Sequence, residues 1–414
     1  MSRFSLLILH SLSCILALAL LPHANGQDWL RFRGTNGSGI GVAPGLPVTW
    51  TEKDYRWRVD LPGKGHSSPI ICGKRLFVTA GDETSGGQTV RCLNAADGAT
   101  VWTREFTAAT YKKNPANAYA SSTPTADQER LYVSWATPEQ YWVVALDQQS
   151  GTVIWRRDLG PFEAQHGFGA SPILVRDILV VPDEQDGVSR IVGLDCRSGE
   201  IRWRTPRRTE KAAYSTPCLY ESPGNPPQLI LTSWAHGFSS LDPQSGKSNW
   251  ELPLLKFRVV GSPLLAGDLI LACCGTGGSG KQMFAVRAGG PKRQAEVAFE
   301  LKPPIPYVPT PVADAQRAYL WGDSGIVTCV GLPDGKVLWQ ERVGGNYFSS
   351  PLLIAGRVYG VSRTGQVVVL AAAERYELLG RSELGEACHS TPAVAGGVLY
   401  FRTVSHVMAL GPAK

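Results

Sequence analysis

Two adjacent cysteines, Cys273 and Cys274, stand directly before a run from Gly275 to Lys281, so one stretch carries residues suited to redox chemistry and others suited to cradling a phosphate. The spacing Gly275-x-x-x-x-Gly280-Lys281 fits a phosphate-binding loop, but Gln282 follows where a Ser or Thr hydroxyl would be needed for Mg²⁺. Such a loop also works by opening a helix whose N terminus faces the phosphates. Here the flanking runs "LILA" and "QMFAV" read as strands, which makes the stretch a hairpin connection with Lys281 in solvent rather than a nucleotide site.

Two histidines carry a second possible chemistry. His66 and His389 each stand three residues before a proline that follows Ser or Thr, a position held elsewhere by Ser121, Gly169, Tyr214, Val260, Val308 and Phe348. Two imidazoles side by side could share a metal ion or an acidic ligand, which makes His66 and His389 the metal candidates. Tyr214 and Phe348 at that position, with Trp135, Trp234 and Trp321 at strand ends, give a set of ligand-binding candidates, because aromatics among polar groups suit peptides, glycans or planar ligands. The acidic stretch "PDEQDGVS" at 182–189 lacks the spacing of a Ca²⁺ loop and reads as a solvated hairpin. No Ser/His/Asp or Cys/His hydrolase arrangement stands out, so no catalytic residue is assigned.

Whether His66 and His389 meet depends on what positions them. The stretches "CLNAADGATVW", "ALDQQSGTVIW", "GLDCRSGEIRW", "SLDPQSGKSNW" and "CVGLPDGKVLW" share a Gly followed four residues later by Trp. Ser or Thr precedes Pro69, Pro124, Pro172, Pro217, Pro263, Pro311, Pro351 and Pro392, which marks eight units. Between these markers lie short runs of Val, Ile, Leu and Tyr broken by Gly, Asp and Pro, without helical periodicity. Each unit reads as four antiparallel strands, A to D, and the whole as an all-β, eight-bladed β-propeller. The Gly serves a C-to-D turn and the Trp fills the wedge between blades. Only three strands fit after Pro392, so residues 55–60, which contain Trp57, are expected to pair with the strand near 404–410 and close the ring. Closure would make units one and eight neighbours and bring His66 to His389.

Composition bounds the setting. One Arg, an apolar run from Phe4 to Leu21 and Ala24-Asn25-Gly26 read as a secretory signal over residues 1–26, followed by a single propeller domain over 27–414. The mature protein is expected to be secreted to the periplasm or cell exterior as a monomer, with no transmembrane segment. The net charge of +6 comes from scattered rather than clustered residues, which argues against nucleic acid as a partner. Of nine cysteines, Cys14 lies in the signal; the other eight read mostly as buried thiols, although their number also permits disulfides.

The Asp/Asn-x-x-Ser/Asp-Gly-x-x-x-Trp repeat resembles the tryptophan-docking motif of pyrroloquinoline-quinone (PQQ)-type β-propellers. That family includes quinoprotein dehydrogenases and the propeller lipoprotein of the bacterial outer-membrane assembly machinery. The stretches "DWLRFRGTNGSGIG" and "LPGKGHSSP" are similar to those of secreted PQQ-like repeat proteins. The resemblance covers residues 28–410 and implies the fold more strongly than an activity. It implies two functions. The first is a noncatalytic scaffold of the cell envelope that binds a protein or extracellular ligand and requires no cofactor. The second is an oxidoreductase binding PQQ and Ca²⁺ over the channel, for which Cys273 and Cys274 would be the cofactor-binding pair, as a vicinal disulfide against the quinone. The sequence around that pair departs from the dehydrogenase pattern, and no position matches the family's Ca²⁺ ligands or catalytic Asp.

Overall fold

The computed structural model describes residues 28–277, 280–290, 293–302 and 304–412, so the expected signal at 1–26 lies outside the described residues. Eight sheets are present, with no α-helix among the described residues. Blades 1 to 7 span residues 70–106, 125–158, 173–206, 218–252, 264–301, 312–342 and 352–383, each with its strands in sequential antiparallel order. Blade 8 takes its inner three strands from 393–410 and its outermost strand from Tyr55–Asp60. Tyr55 pairs with Leu410 and Asp60 with His406, which closes the ring as the sequence predicts.

Burial explains why each strand has its composition. Middle strands such as Ile178–Asp183 are buried on both faces between neighbouring blades, hence their unbroken apolar runs. Outer strands such as Val153–Asp158 alternate, with Trp155 buried and its neighbours largely exposed.

The Gly–Trp repeat has a second cause beyond the turn. Gly151 has φ 68°, and a Cβ placed on it would lie 2.6 Å from the ring of Trp102 in the preceding blade. The same stacking relates Trp57 to Gly98, Trp155 to Gly199, and Trp203 to Gly246; in the degenerate blade 5, Phe299 takes the role against Gly335. The Trp102 indole also donates to the Gln148 carbonyl at 3.0 Å. The wedges from blade 8 to blade 4 are thus each locked by a Trp on one blade and a Gly on the next. Blade 7 has no Trp of its own, and Trp50 from the N-terminal segment packs there: its amide donates to Ser382 Oγ at 2.8 Å and its ring stacks on Phe401 at 5.7 Å.

The Ser/Thr before each proline also has a structural role. The amide of Ser68 donates to Thr123 Oγ1, Thr123 to Ser171, Thr216 to Ser262, Ser262 to Thr310, Thr310 to Ser350, and Ser350 to Thr391, at 2.8–3.0 Å. A belt of hydroxyls therefore links the inner strands blade to blade. Among the described residues the belt has two gaps, between Ser171 of blade 3 and Thr216 of blade 4 and at the seam between blades 8 and 1, where Ser68 Oγ is buried without a partner.

Residues 28–46 close the channel on the face of the A-to-B turns. Trp29 bridges to Ile71 of blade 1, the Leu30 carbonyl accepts from Ala126 of blade 2, and Asn36 bonds Leu219 of blade 4. Ile40–Gly41 adds a parallel strand to blade 7. Arg33 is fully buried without a carboxylate; it donates to the carbonyls of Thr310 (3.0 Å), Pro311 (2.6 Å) and Pro351 (3.2 Å), as well as to Gly37 and Ser38 in its own turn. Burial lowers its pKa to about 9.

Candidate functional site

The D-to-A and B-to-C connections emerge on the opposite face, around a cavity of about 520 Å³ over the channel. Phe32 of the plug forms part of its lining, as do Thr123, Ser171, Thr216, Thr310, Ser350 and Thr391 of the hydroxyl belt. All eight residues that stand three before a Ser/Thr-Pro proline line it: His66, Ser121, Gly169, Tyr214, Val260, Val308, Phe348 and His389. The regularity is geometric, because each D-to-A connection enters strand A in the same way.

Ring closure brings His66 and His389 together, with centroids 4.5 Å apart and planes inclined by 53°. Burial, His389, and the cations Arg402, Lys113 and Arg363 push the His66 pKa down to about 2. Burial and Arg363 lower His389 to about 4, with the Ala116 backbone working against the shift. Arg363 lies over the Phe348 ring, 4.4 Å from its centroid, and its Nε–H approaches His389 Nε2 at 3.5 Å. Both imidazoles are therefore neutral, and the positive field that keeps them so also opposes a bound metal cation. No group of three or more His, Cys, Asp or Glu suited to a metal ion occurs among the described residues.

A second cluster crosses the mouth. Arg258, from the connection between blades 4 and 5, donates to His166 Nε2 at 2.6 Å and to Gln165 Oε1 at 2.8 Å. His166 faces Asn114 at 3.1 Å across its other nitrogen. Asn117 donates to the carbonyls of His166 and Phe168, tying the long connection between blades 1 and 2 to the next one. Asp323, the single carboxylate among the described residues lining the cavity, accepts from Lys281 at 2.7 Å and from the amides of Tyr307 and Val308 at 2.8 and 2.9 Å.

The structure corrects several expectations. Lys281 is not solvated but paired with Asp323, and its loop contributes Thr276 and Gly277 to the cavity. Cys273 and Cys274 do not belong to the hairpin connection after "LILA" but are the last two residues of strand B of blade 5, Leu269–Cys274. Successive strand residues face opposite sides, so Cys273 packs toward blade 6 and Cys274 toward blade 4, and neither lines the cavity. All eight cysteines among the described residues are buried free thiols. Trp135 packs against Phe106 of blade 1, and Trp321 against Tyr347 and the Gly360 backbone, so both fill wedges rather than face a ligand. Trp234 sits in the B-to-C turn of blade 4 beside Phe257, outside the cavity lining. Of the expected ligand-binding set, His66, Tyr214, Phe348 and His389 share one cavity.

These features define a β-propeller of PQQ-like repeats. The chain belongs to the family described as "Outer membrane protein assembly factor BamB", whose profile matches residues 48–103, 86–341 and 293–413. Among solved structures, BamB from Moraxella catarrhalis is 15% identical with a TM-score of 0.62, covering 86% of this chain and 96% of its own. A europium-containing methanol dehydrogenase is 11% identical with a TM-score of 0.67, covering 92% and 90%. The quinohemoprotein alcohol dehydrogenase from Comamonas testosteroni is 13% identical with a TM-score of 0.63, covering 94% and 81%. No curated protein sequence matches the chain. Among the described residues no helix is long and apolar enough to cross a membrane.

The quinone and Ca²⁺ implied by part of this resemblance can be tested against the donor set. Ca²⁺ takes roughly six to eight oxygen ligands, carboxylates prominent among them. The cavity's one carboxylate, Asp323, is already neutralised by Lys281 and two amides. The two free thiols point away, into blade interfaces. These residues do not fit a Ca²⁺-bound quinone held against a cysteine pair.

Proposed function

We propose that this chain is a noncatalytic propeller of the cell envelope that binds a protein segment or an extracellular ligand in the cavity over its channel. The observation that carries this reading is the cavity's make-up: a rigid ring of eight equivalent positions presents His66, Tyr214, Phe348 and His389 without a Ca²⁺ donor set. The family match to an assembly factor supports it further. Secretion through the segment at 1–26 and a monomeric state belong to the same reading.

Two measurements test it. Calorimetric titration with PQQ, with and without Ca²⁺, should give no tight, Ca²⁺-dependent, stoichiometric binding; such binding would replace this reading with the oxidoreductase. Capture of partners from an envelope extract should weaken for a Tyr214→Ala, Phe348→Ala double variant, and capture indifferent to that change would move the binding site off the cavity.

A further inference from the structure

We propose that the cavity takes a small acidic ligand, a carboxylate on an apolar or aromatic body, and that its entry draws a proton from solvent onto the His66–His389 pair. This rests on the cavity being the binding site and adds the chemical class of what it binds.

The charge inventory points to an anion. Among the described residues no carboxylate lies within ion-pair distance of Arg258, whose donors go to the uncharged His166 and Gln165. Its Nε–H is buried without an acceptor of good geometry, although the Tyr307 hydroxyl lies beside the guanidinium. Arg363 likewise has no carboxylate among the described residues and rests on Phe348 and His389. Arg402, fully buried behind His66, spends its donors on the Ser67 and Thr79 carbonyls and the Ser67 hydroxyl.

The carboxylates nearby are committed elsewhere. Glu83 pairs with Lys113 at 2.9 Å, and Asp323 with Lys281. Asp186, on the His166 side, accepts from the amides of Gln165 and Ala212. Glu386, on the Arg402 side, is held by Ser405 and His406. With Asp323 committed to Lys281, Arg258 stands at the cavity without a carboxylate of its own, between walls formed by Phe32, Tyr214, Val260, Val308 and Phe348.

The proton follows from the same arrangement. His66 faces His389, Lys113, Arg363 and Arg402, while His389 faces Arg363 and the Ala116 backbone; no carboxylate adjoins either ring. An entering carboxylate supplies the missing negative charge and favours the imidazolium over the imidazole. Affinity should therefore rise as pH falls, since the bound state holds more protons than the free one.

The test uses benzoate as probe and benzamide as its neutral isostere, by calorimetry on the mature protein at about pH 5.5 and about pH 7.5. Buffers of different ionisation heat report proton uptake. Benzoate should bind roughly tenfold or more tightly than benzamide, gain affinity at the lower pH, and give buffer-dependent heats. Arg258→Gln should lower benzoate affinity about tenfold with an unchanged melting curve. His66→Gln with His389→Gln should remove the buffer dependence while benzoate still binds.

Equal binding of the two probes, or no benzoate binding at millimolar concentration, would overturn the acidic-ligand assignment. Heats independent of buffer in the parent would overturn the proton coupling. Either failure leaves the noncatalytic reading standing, whereas tight Ca²⁺-dependent PQQ binding would remove that reading whatever benzoate does.

Discussion

The amide of Ser262 in blade 5 donates to Thr310 Oγ1 in blade 6 at 2.8 Å, and the amide of Thr310 donates in turn to Ser350 Oγ in blade 7 at 3.0 Å. Removing one hydroxyl should therefore affect a neighbouring blade. Thr310→Val keeps the volume but leaves the buried Ser262 amide unpaired, at a cost of about 1–3 kcal/mol. Chemical denaturation should show this as a lower midpoint with an unchanged slope. A midpoint equal to the parent's would mean that water replaces the hydroxyl.

The Gly151–Trp102 pair makes a sharper prediction. Gly151→Ala meets both a left-handed backbone and the indole, whereas Gly267→Ala meets only the former, since nothing lies within 4 Å of its Cβ position. Gly267→Ala should cost about 1–2 kcal/mol and Gly151→Ala clearly more. Trp102→Ala should cost about 3–5 kcal/mol, and in that background Gly151→Ala should fall back towards the cost of Gly267→Ala. Additive costs would show that the two residues are not coupled.

Arg33 ties the plug to blades 6 and 7 through carbonyls that would be left without donors. Arg33→Met should destabilise by about 3 kcal/mol or more, and Arg33→Lys should not restore the loss, because an ammonium cannot reproduce the planar fork. Thermal unfolding of the three proteins decides the point; a lysine variant as stable as the parent would mean that charge alone suffices.

The cysteines should be silent in the native state. Burial raises the pKa of Cys92 and Cys218 to about 12 and also raises those of Cys273 and Cys274. A thiol reagent should label none of the eight in the folded protein and all of them in denaturant without reductant. Incomplete labelling in denaturant would reveal a disulfide.

Acid should loosen the fold through the histidine pair. Both folded-state values lie below the ordinary 6.5, so between them and 6.5 the unfolded chain binds more protons than the folded one. Stability then rises with pH, and is lost as pH falls below that value. Melting temperatures across this range should decline less steeply for the His66→Gln, His389→Gln variant; equal slopes would assign the acid sensitivity elsewhere.

The architecture was legible because it repeats. Gly151 and Trp102 recur with their blades, and the shortage of strands after Pro392 identified Tyr55–Asp60 as the missing one. Position three before each proline led to all eight cavity residues of that class, including His66 and His389. Arg258, Asn114 and Asp323 escaped notice because they lie in connections where no repeat marks them, and only the closed ring brings them to one mouth. Trp135 and Trp321 misled for a different reason. They end strand B at the cavity face, but strand alternation turns their rings sideways into the wedges. Arg33 and Trp50 belong to a segment with almost no regular structure, whose hydrogen bonds run to backbone carbonyls and to Ser382 and leave no pattern in the sequence.

The pairing of Tyr55–Asp60 with His406–Leu410 also sets an order of events. A chain emerging from its N terminus can assemble blades 1 to 7 from local hairpins as each becomes available. Trp57 and its strand must wait for the last residues of blade 8, nearly the whole chain away. Such a distant contact carries the largest loop-closure entropy in the molecule and belongs to the slow end of folding. The same seam also lacks a hydroxyl link at Ser68, whose Oγ is buried without a partner. Completion of the ring thus waits on one strand of six residues that no single blade can supply from its own neighbourhood.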